Sequence, residues 1–125
     1  MRVLIVDDDS AKHAFYAKAY REHEVIHAYS YYQACDALDQ HERFDIVQLD
    51  HDLGDFREPD RMIEAYGSIE LTGYHIARYI ALEIPFGKRP DRIIVHSVNP
   101  CGASSIVAIL ERYGIHPDVE PFILR

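Results

Sequence analysis

The chain has 125 residues, 48% of them apolar and 27% charged, which is the composition of one compact domain able to build its core without a disulfide or a metal staple. Thirteen Lys and Arg against twenty-one Asp and Glu leave a formal charge of −8, which repels nucleic-acid backbones and anionic membranes; duplex nucleic acid and membrane are therefore not expected partners. Met1 to Val6 is too short for a signal-peptide core, no apolar run approaches roughly eighteen residues, and Cys35 and Cys101 form no C-x-x-C pair, so a cytoplasmic protein with reduced thiols is expected.

Short apolar runs alternate with helix-period segments. Val3 to Val6 reads as a strand covered on both faces. Ser10 can cap a helix with Ala11, Ala14, Phe15 and Ala19 inward. A weaker strand, Glu24 to Ala28, precedes a helix capped by Ser30 that carries Tyr31, Ala34, Cys35 and Leu38 on one face. Phe44 to Asp50 is a third strand that ends in acid. From His51 to Leu71 the chain is polar and broken by Gly54, Pro59 and Gly67, which predicts a long loop with a helical turn near Arg61 to Ala65. Thr72 caps a helix with Ile76, Ala77, Ile80 and Ile84 inward, stopped by Pro85. Arg92 to Ser97 is a fourth strand, and Asn99-Pro100 starts a helix with Ile106, Val107, Leu110 and Tyr113 inward, closed by Gly114. Val119 to Leu124 is a last strand that Pro121, lacking an amide hydrogen, confines to an edge.

The order βαβαβαβαβ requires a parallel sheet with right-handed crossovers and helices on both faces. Ligands of such sheets bind beyond the carboxyl ends of the strands, where Asp7, Asp8 and Asp50 stand. Crowded carboxylates raise one another's pKa and need a positive partner. Hard oxygen donors on strand-end loops favour Mg²⁺ (or Mn²⁺), which takes one or two carboxylates and a phosphate oxygen. Asp52 and Asp55 follow in the same loop. A plainer reading makes Asp7 to Asp9 helix caps, but it leaves Asp50 without a purpose.

Val6-Asp7-Asp8-Asp9 and Leu49-Asp50 resemble the acidic pair and phosphoacceptor of response-regulator receiver domains over nearly the whole chain. The resemblance implies a receiver-like, flavodoxin-like three-layer α/β fold with a five-stranded parallel sheet of order 2-1-3-4-5. It puts Asp7 and Asp8 on the metal-binding acids, Asp50 on the phosphorylated aspartate and Ser97 on the hydroxyl that ends the fourth strand. Asp52 falls where that family uses a backbone carbonyl for metal. Three departures stand out. Glu120-Pro121 occupies the place of a Lys-Pro whose lysine pairs with the aspartyl phosphate. The loop from Gly54 to Thr72 is long. The sequence ends at Arg125 without residues for a last helix, which implies a bare apolar strip beside the first helix and a homodimer or partner contact there.

These departures, with Leu49-Asp50-His51-Asp52-Leu53-Gly54, Thr72-Gly73-Tyr74 and His96-Ser97-Val98-Asn99-Pro100, resemble a narrower group, the cyclic-phosphate-processing receiver domains. That resemblance implies a stand-alone domain acting on cyclic phosphates of nucleotides or RNA ends. Asp50, His51 and Ser97 are the expected catalytic residues, with Ser97 and Asn99 binding phosphate and Asp7, Asp8, Asp50 and Asp52 holding metal. His51 serves as general acid or as a support, unless alternation turns it away. His96, one residue before Ser97, is expected to be a packed or hydrogen-bonded core histidine. Gly73 permits close backbone approach, and Arg57 and Arg61 are offered as the missing positive charge. His13, His23, His27, His41, His75 and His116 show no ligand spacing, and no H-E-x-x-H occurs. The alternatives are a phosphoacceptor receiver charged on Asp50 by a histidine kinase in a phosphorelay, and a degenerate receiver that binds a protein partner.

Overall fold

A computed structural model describes residues 1–57 and 69–123. The elements run β1 (Arg2–Val6), α1 (Ser10–Ala19), β2 (Glu24–Ala28), α2 (Tyr31–Gln40), β3 (Ile46–Leu49), β4 (Asp55–Arg57), β5 (Ile69–Leu71), α3 (Gly73–Leu82), β6 (Arg92–Val95), α4 (Pro100–Arg112) and β7 (Asp118–Val119). The main sheet has the order β2-β1-β3-β6-β7 and every pair in it is parallel. Counted by its own strands this is the expected 2-1-3-4-5 order. Among the described residues no helix follows β7, and no helix is long and apolar enough to cross a membrane.

Alternation along the strands builds two cores. Leu4, Val6, Val47, Leu49, Ile93 and Val95 face α2, α3 and α4 and pack with Ala34, Leu38, Ile76, Ile80, Ile106 and Leu110. Val3, Ile5, Ile46 and Ile94 face the other way, beneath Tyr16 of α1. Each fully buried Leu or Ile contributes about 1.5–3 kcal/mol relative to exposure. The inward faces of α2 and α3 are the expected ones, and Ser30 and Thr72 cap them as expected. At Thr72 the cap is reciprocal, because the His75 side chain accepts the Thr72 amide.

Helix α1 departs from the expectation. Ala11, Ala14, Phe15 and Ala19 are exposed, whereas His13 and Tyr16 are buried. The inward residues carry polar tips that find partners beneath the helix: His13 Nε2 donates to the Asp7 carbonyl at 2.7 Å, and the hydroxyl of half-buried Tyr20 donates to Gln48 Oε1 at 2.8 Å. Asp9, not Ser10, is the cap, its carboxylate accepting the Ala11 amide. In α4, Tyr113 is exposed at the helix end and Ile109 is buried instead.

The segment expected as a plain loop pairs at its ends, with Asp55–Arg57 antiparallel to Ile69–Leu71. The proposed turn at Arg61 to Ala65 lies outside the described residues. β7 is shorter than expected, but the Glu120 and Phe122 amides still donate to Val95 and His96 carbonyls, and Pro121 sits between them at the sheet edge as required. The strip expected to be bare is covered: Ile46 and Ile94 are 8% and 2% exposed, beneath Tyr16, Tyr20 and Phe122. Phe15, Val119 and Ile123 nevertheless remain exposed.

Candidate functional site

Register assembles the site. Val6 lies opposite Leu49, and Leu49 opposite Val95, so the residues that follow each of them reach one rim together. Those residues are Asp7, Asp50 and His96. Because Val6, Leu49 and Val95 point into the larger core, the next residue of each strand turns to the α1 side. One ligand atom from each of Asp7, Asp50 and His96 lies within 4.8 Å of the others, and all three side chains are buried.

Hydrogen bonds fix this group. His96 Nε2 stands 2.7 Å from Asp7 Oδ2, and Gln48 Nε2 stands 3.2 Å from His96 Nδ1. With Tyr20 donating to Gln48 Oε1, the consistent assignment has Gln48 donating to Nδ1 and Nε2–H donating to Asp7. Asp7 Oδ1 also accepts the Asp9 amide at 2.8 Å. Burial pushes the Asp7 carboxyl up, but the hydrogen bonds from His96 and the Asp9 amide, with the Lys12 ammonium nearby, outweigh it and hold the pKa below the usual value. Asp50 has less help, so burial, then the Asp7 charge, pushes it up to about 6. Asp8 is exposed and its pKa is raised by burial and by Asp7.

The other expected site residues lie around this core. His51 Nδ1 is 2.9 Å from Asp52 Oδ1, and Asn99 Nδ2 donates to Asp52 Oδ2 at 3.4 Å. Asp52 is exposed and stands outside the Asp7–Asp50–His96 group. Asn99 Oδ1 caps α4 by accepting the Gly102 amide, so both ends of its amide are engaged. Ser97 is buried, and its Oγ accepts the Asn99 amide at 3.1 Å.

Two glycines set the position of His51. A Cβ on Gly73 would lie 2.0 Å from the Asp50 carbonyl oxygen, so the start of α3 needs glycine to lie against the end of β3. A Cβ on Gly102 would lie 2.4 Å from His51 Cγ, so the first turn of α4 forms the seat of that ring. The first close approach was expected at Gly73; the second was not. Glu120 pairs with Arg92 at 3.5 Å and is exposed. Arg61 and the Arg57 side chain lie outside the described residues. Among the described residues a cation stands beside the acids at Lys12 of α1, with Nζ 4.0 Å from Asp7 Oδ2.

His96 is the buried, hydrogen-bonded histidine expected from the sequence, although its bond to Asp7 was not foreseen, and sequence reasoning missed Lys12. The register signal for His96 was available: Asp7, Asp50 and His96 each follow the last residue of a strand's apolar run.

A family model described as "Cyclic-phosphate processing Receiver domain" matches residues 2–112. The chain belongs to that family. No curated protein sequence matches it. Among solved structures, a response regulator from Burkholderia pseudomallei, described with a phosphorylated aspartic acid, a calcium ion and citrate, aligns at 16% identity and TM-score 0.66 over 98% of this chain. This receiver-family chain spans 61% of the length of that regulator. A BeF3-activated DrrB receiver domain aligns at 22% identity and TM-score 0.61, covering 98% of this chain and 86% of that one. A CheY-like receiver from Methanospirillum hungatei aligns at 18% identity and TM-score 0.61, covering 98% and 82%. These likenesses establish the receiver fold.

Proposed function

We propose that the chain holds a divalent cation, Mg²⁺ or Mn²⁺, between Asp7 and Asp50 and there processes the cyclic phosphate of a nucleotide or an RNA end. The observation that carries this reading is the meeting of two buried carboxylates on one rim, Asp50 among them with too few donors to keep its charge easily. The donor set fits a hard cation, since two carboxylates offer oxygens side by side. His96 spends its Nε2 hydrogen on Asp7 and braces that ligand rather than joining it. When bound, such a cation polarises phosphoryl oxygens and lowers the pKa of water.

The chain's own residues bind and orient. Ser97 accepts from the Asn99 amide and keeps its hydroxyl hydrogen for a phosphate oxygen. Asn99, engaged with Gly102 and Asp52, contributes the α4 start rather than a free amide. His51, seated on Gly102 and oriented by Asp52, is the group we assign to proton exchange with the leaving oxygen. Asp8 and Asp52 shape the field at the rim and are assigned no direct bond to the cation.

A second reading has support in the position of Asp50 beside Asp7, which suits a phosphoacceptor charged by a histidine kinase; the Burkholderia regulator is described with a phosphorylated aspartic acid. Glu120, turned to Arg92, speaks against it by leaving no strand-end cation. The test is incubation with 2′,3′-cyclic nucleotides and Mn²⁺. Turnover that disappears in Asp50→Asn is expected. No turnover with metal binding intact removes the cyclic-phosphate reading, and a stable phosphate on Asp50 after acetyl phosphate treatment establishes the second one.

A further inference from the structure

Lys12 stands in the first turn of α1 with Nζ 4.0 Å from Asp7 Oδ2. Its side chain is only 20% exposed, and the ammonium group lies 5.5 Å from the centre of the Phe122 ring. That placement orders a long side chain, at a cost in side-chain entropy. Asp7 does not need it, because His96 and the Asp9 amide already supply hydrogen bonds to its two oxygens. At 4.0 Å the contact is an ion pair without a hydrogen bond, and no hydrogen bond to Lys12 occurs among the described residues. Three N–H donors are therefore held beside a buried acid with no protein acceptor within hydrogen-bond distance among the described residues. Among the described residues no other Lys or Arg pairs with Asp7, Asp8 or Asp50: Arg92 pairs with Asp118 and Glu120, and Arg2 with Glu24.

A phosphate drawn to this rim by a cation between Asp7 and Asp50 has further oxygens facing outward, and the acids would repel them. We propose that Lys12 is the anion-binding residue of the site, its ammonium group donating to a non-bridging oxygen of the bound phosphate while Phe122 holds the side chain in place. The assignment rests on the phosphate reading above and adds to it the residue that receives the anion. Arginine at this position preserves the charge, whereas methionine preserves the length and the contact with Phe122 without it.

The test separates metal from anion. Mn²⁺ affinity, and then the affinity of the Mn²⁺-saturated protein for inorganic phosphate and for 2′,3′-cyclic AMP, are measured by titration in wild type, Lys12→Met and Lys12→Arg. Lys12→Met should bind Mn²⁺ at least as tightly as wild type, since a nearby positive charge is gone. It should bind both anions about tenfold or more weakly, the worth of one charge-assisted hydrogen bond. Lys12→Arg should recover most of the loss. In the wild type, phosphate with Mn²⁺ should also slow acetylation of Lys12, a readout that needs no variant. Equal anion affinity in wild type and Lys12→Met, or unchanged Lys12 acetylation, overturns the assignment and leaves Lys12 a simple partner of Asp7. Failure of Mn²⁺-saturated wild type to bind either anion overturns the phosphate reading itself, and this proposal with it.

Discussion

His96 Nε2 stands 2.7 Å from Asp7 Oδ2, both side chains sealed from solvent, and the bond joins two strand ends that are 89 residues apart in sequence. Tyr20, Gln48, His96 and Asp7 form one chain of hydrogen bonds running under α1 to the rim. Asp7 is thereby fixed before any ligand arrives.

Replacing His96 with alanine leaves a buried carboxylate short of one donor, and losing a buried hydrogen bond to a charged group costs about 1.5–3 kcal/mol. Urea unfolding of metal-free protein measures the loss. Adding Asp7→Asn to His96→Ala should recover most of it, because the uncompensated charge goes too. If the two losses simply add, the residues are not coupled.

Asp50 makes stability fall as pH rises. Its folded pKa of about 6 lies above the ordinary 3.8, so between those values the native state holds a proton that the unfolded chain has lost. This contribution is full below the lower value and disappears as pH passes the upper one, about 2–3 kcal/mol in all. In metal-free protein Asp50→Asn should be more stable at pH 7 by about 2 kcal/mol and should flatten the curve between pH 4 and 7. Thermal unfolding across that range checks both, and a less stable Asp50→Asn would refute the sign.

Gly102→Ala should cost about 1–3 kcal/mol by driving a methyl group into the His51 ring. Truncating that ring with His51→Ala should relieve most of the cost, since the two nearest obstructing atoms leave with the ring and only Cβ, at 2.9 Å, remains. Gly73→Ala meets the Asp50 backbone instead, so His51→Ala should not relieve it. Denaturant midpoints of Gly102→Ala, Gly73→Ala, His51→Ala and the two double variants test the seat, and equal relief at both positions would argue against it.

Glu120→Lys should alter Mn²⁺ affinity by less than about twofold, because that exposed side chain turns to Arg92 and solvent screens its charge. A loss of tenfold would mean that Glu120 faces the acids.

Much of this arrangement was legible in the residues. Ala34, Cys35 and Leu38, and Ile76, Ala77, Ile80 and Ile84, have the spacing of buried helix faces, and the acids at Asp7 and Asp50 mark the strand ends that meet. Helix α1 resisted because its inward residues are His13, Tyr16 and Tyr20: Tyr16 packs on the sheet, while His13 and Tyr20 are held by hydrogen bonds that a count of apolar residues cannot register. Lys12 was invisible for a related reason: only the approach of α1 to Phe122 brings it to the acids. Asp52 has the residue type of a ligand, but His51 and Asn99 claim its carboxylate.

Titration of the metal-free protein with Mn²⁺, followed by calorimetry in wild type, Asp7→Asn and Asp50→Asn, tests the shared rim most directly. One bound ion per chain in the wild type, weakened about tenfold or more by either substitution, is the predicted result. A wild type that takes up no ion, or variants that bind it as tightly, would contradict a cation site built by Asp7 and Asp50.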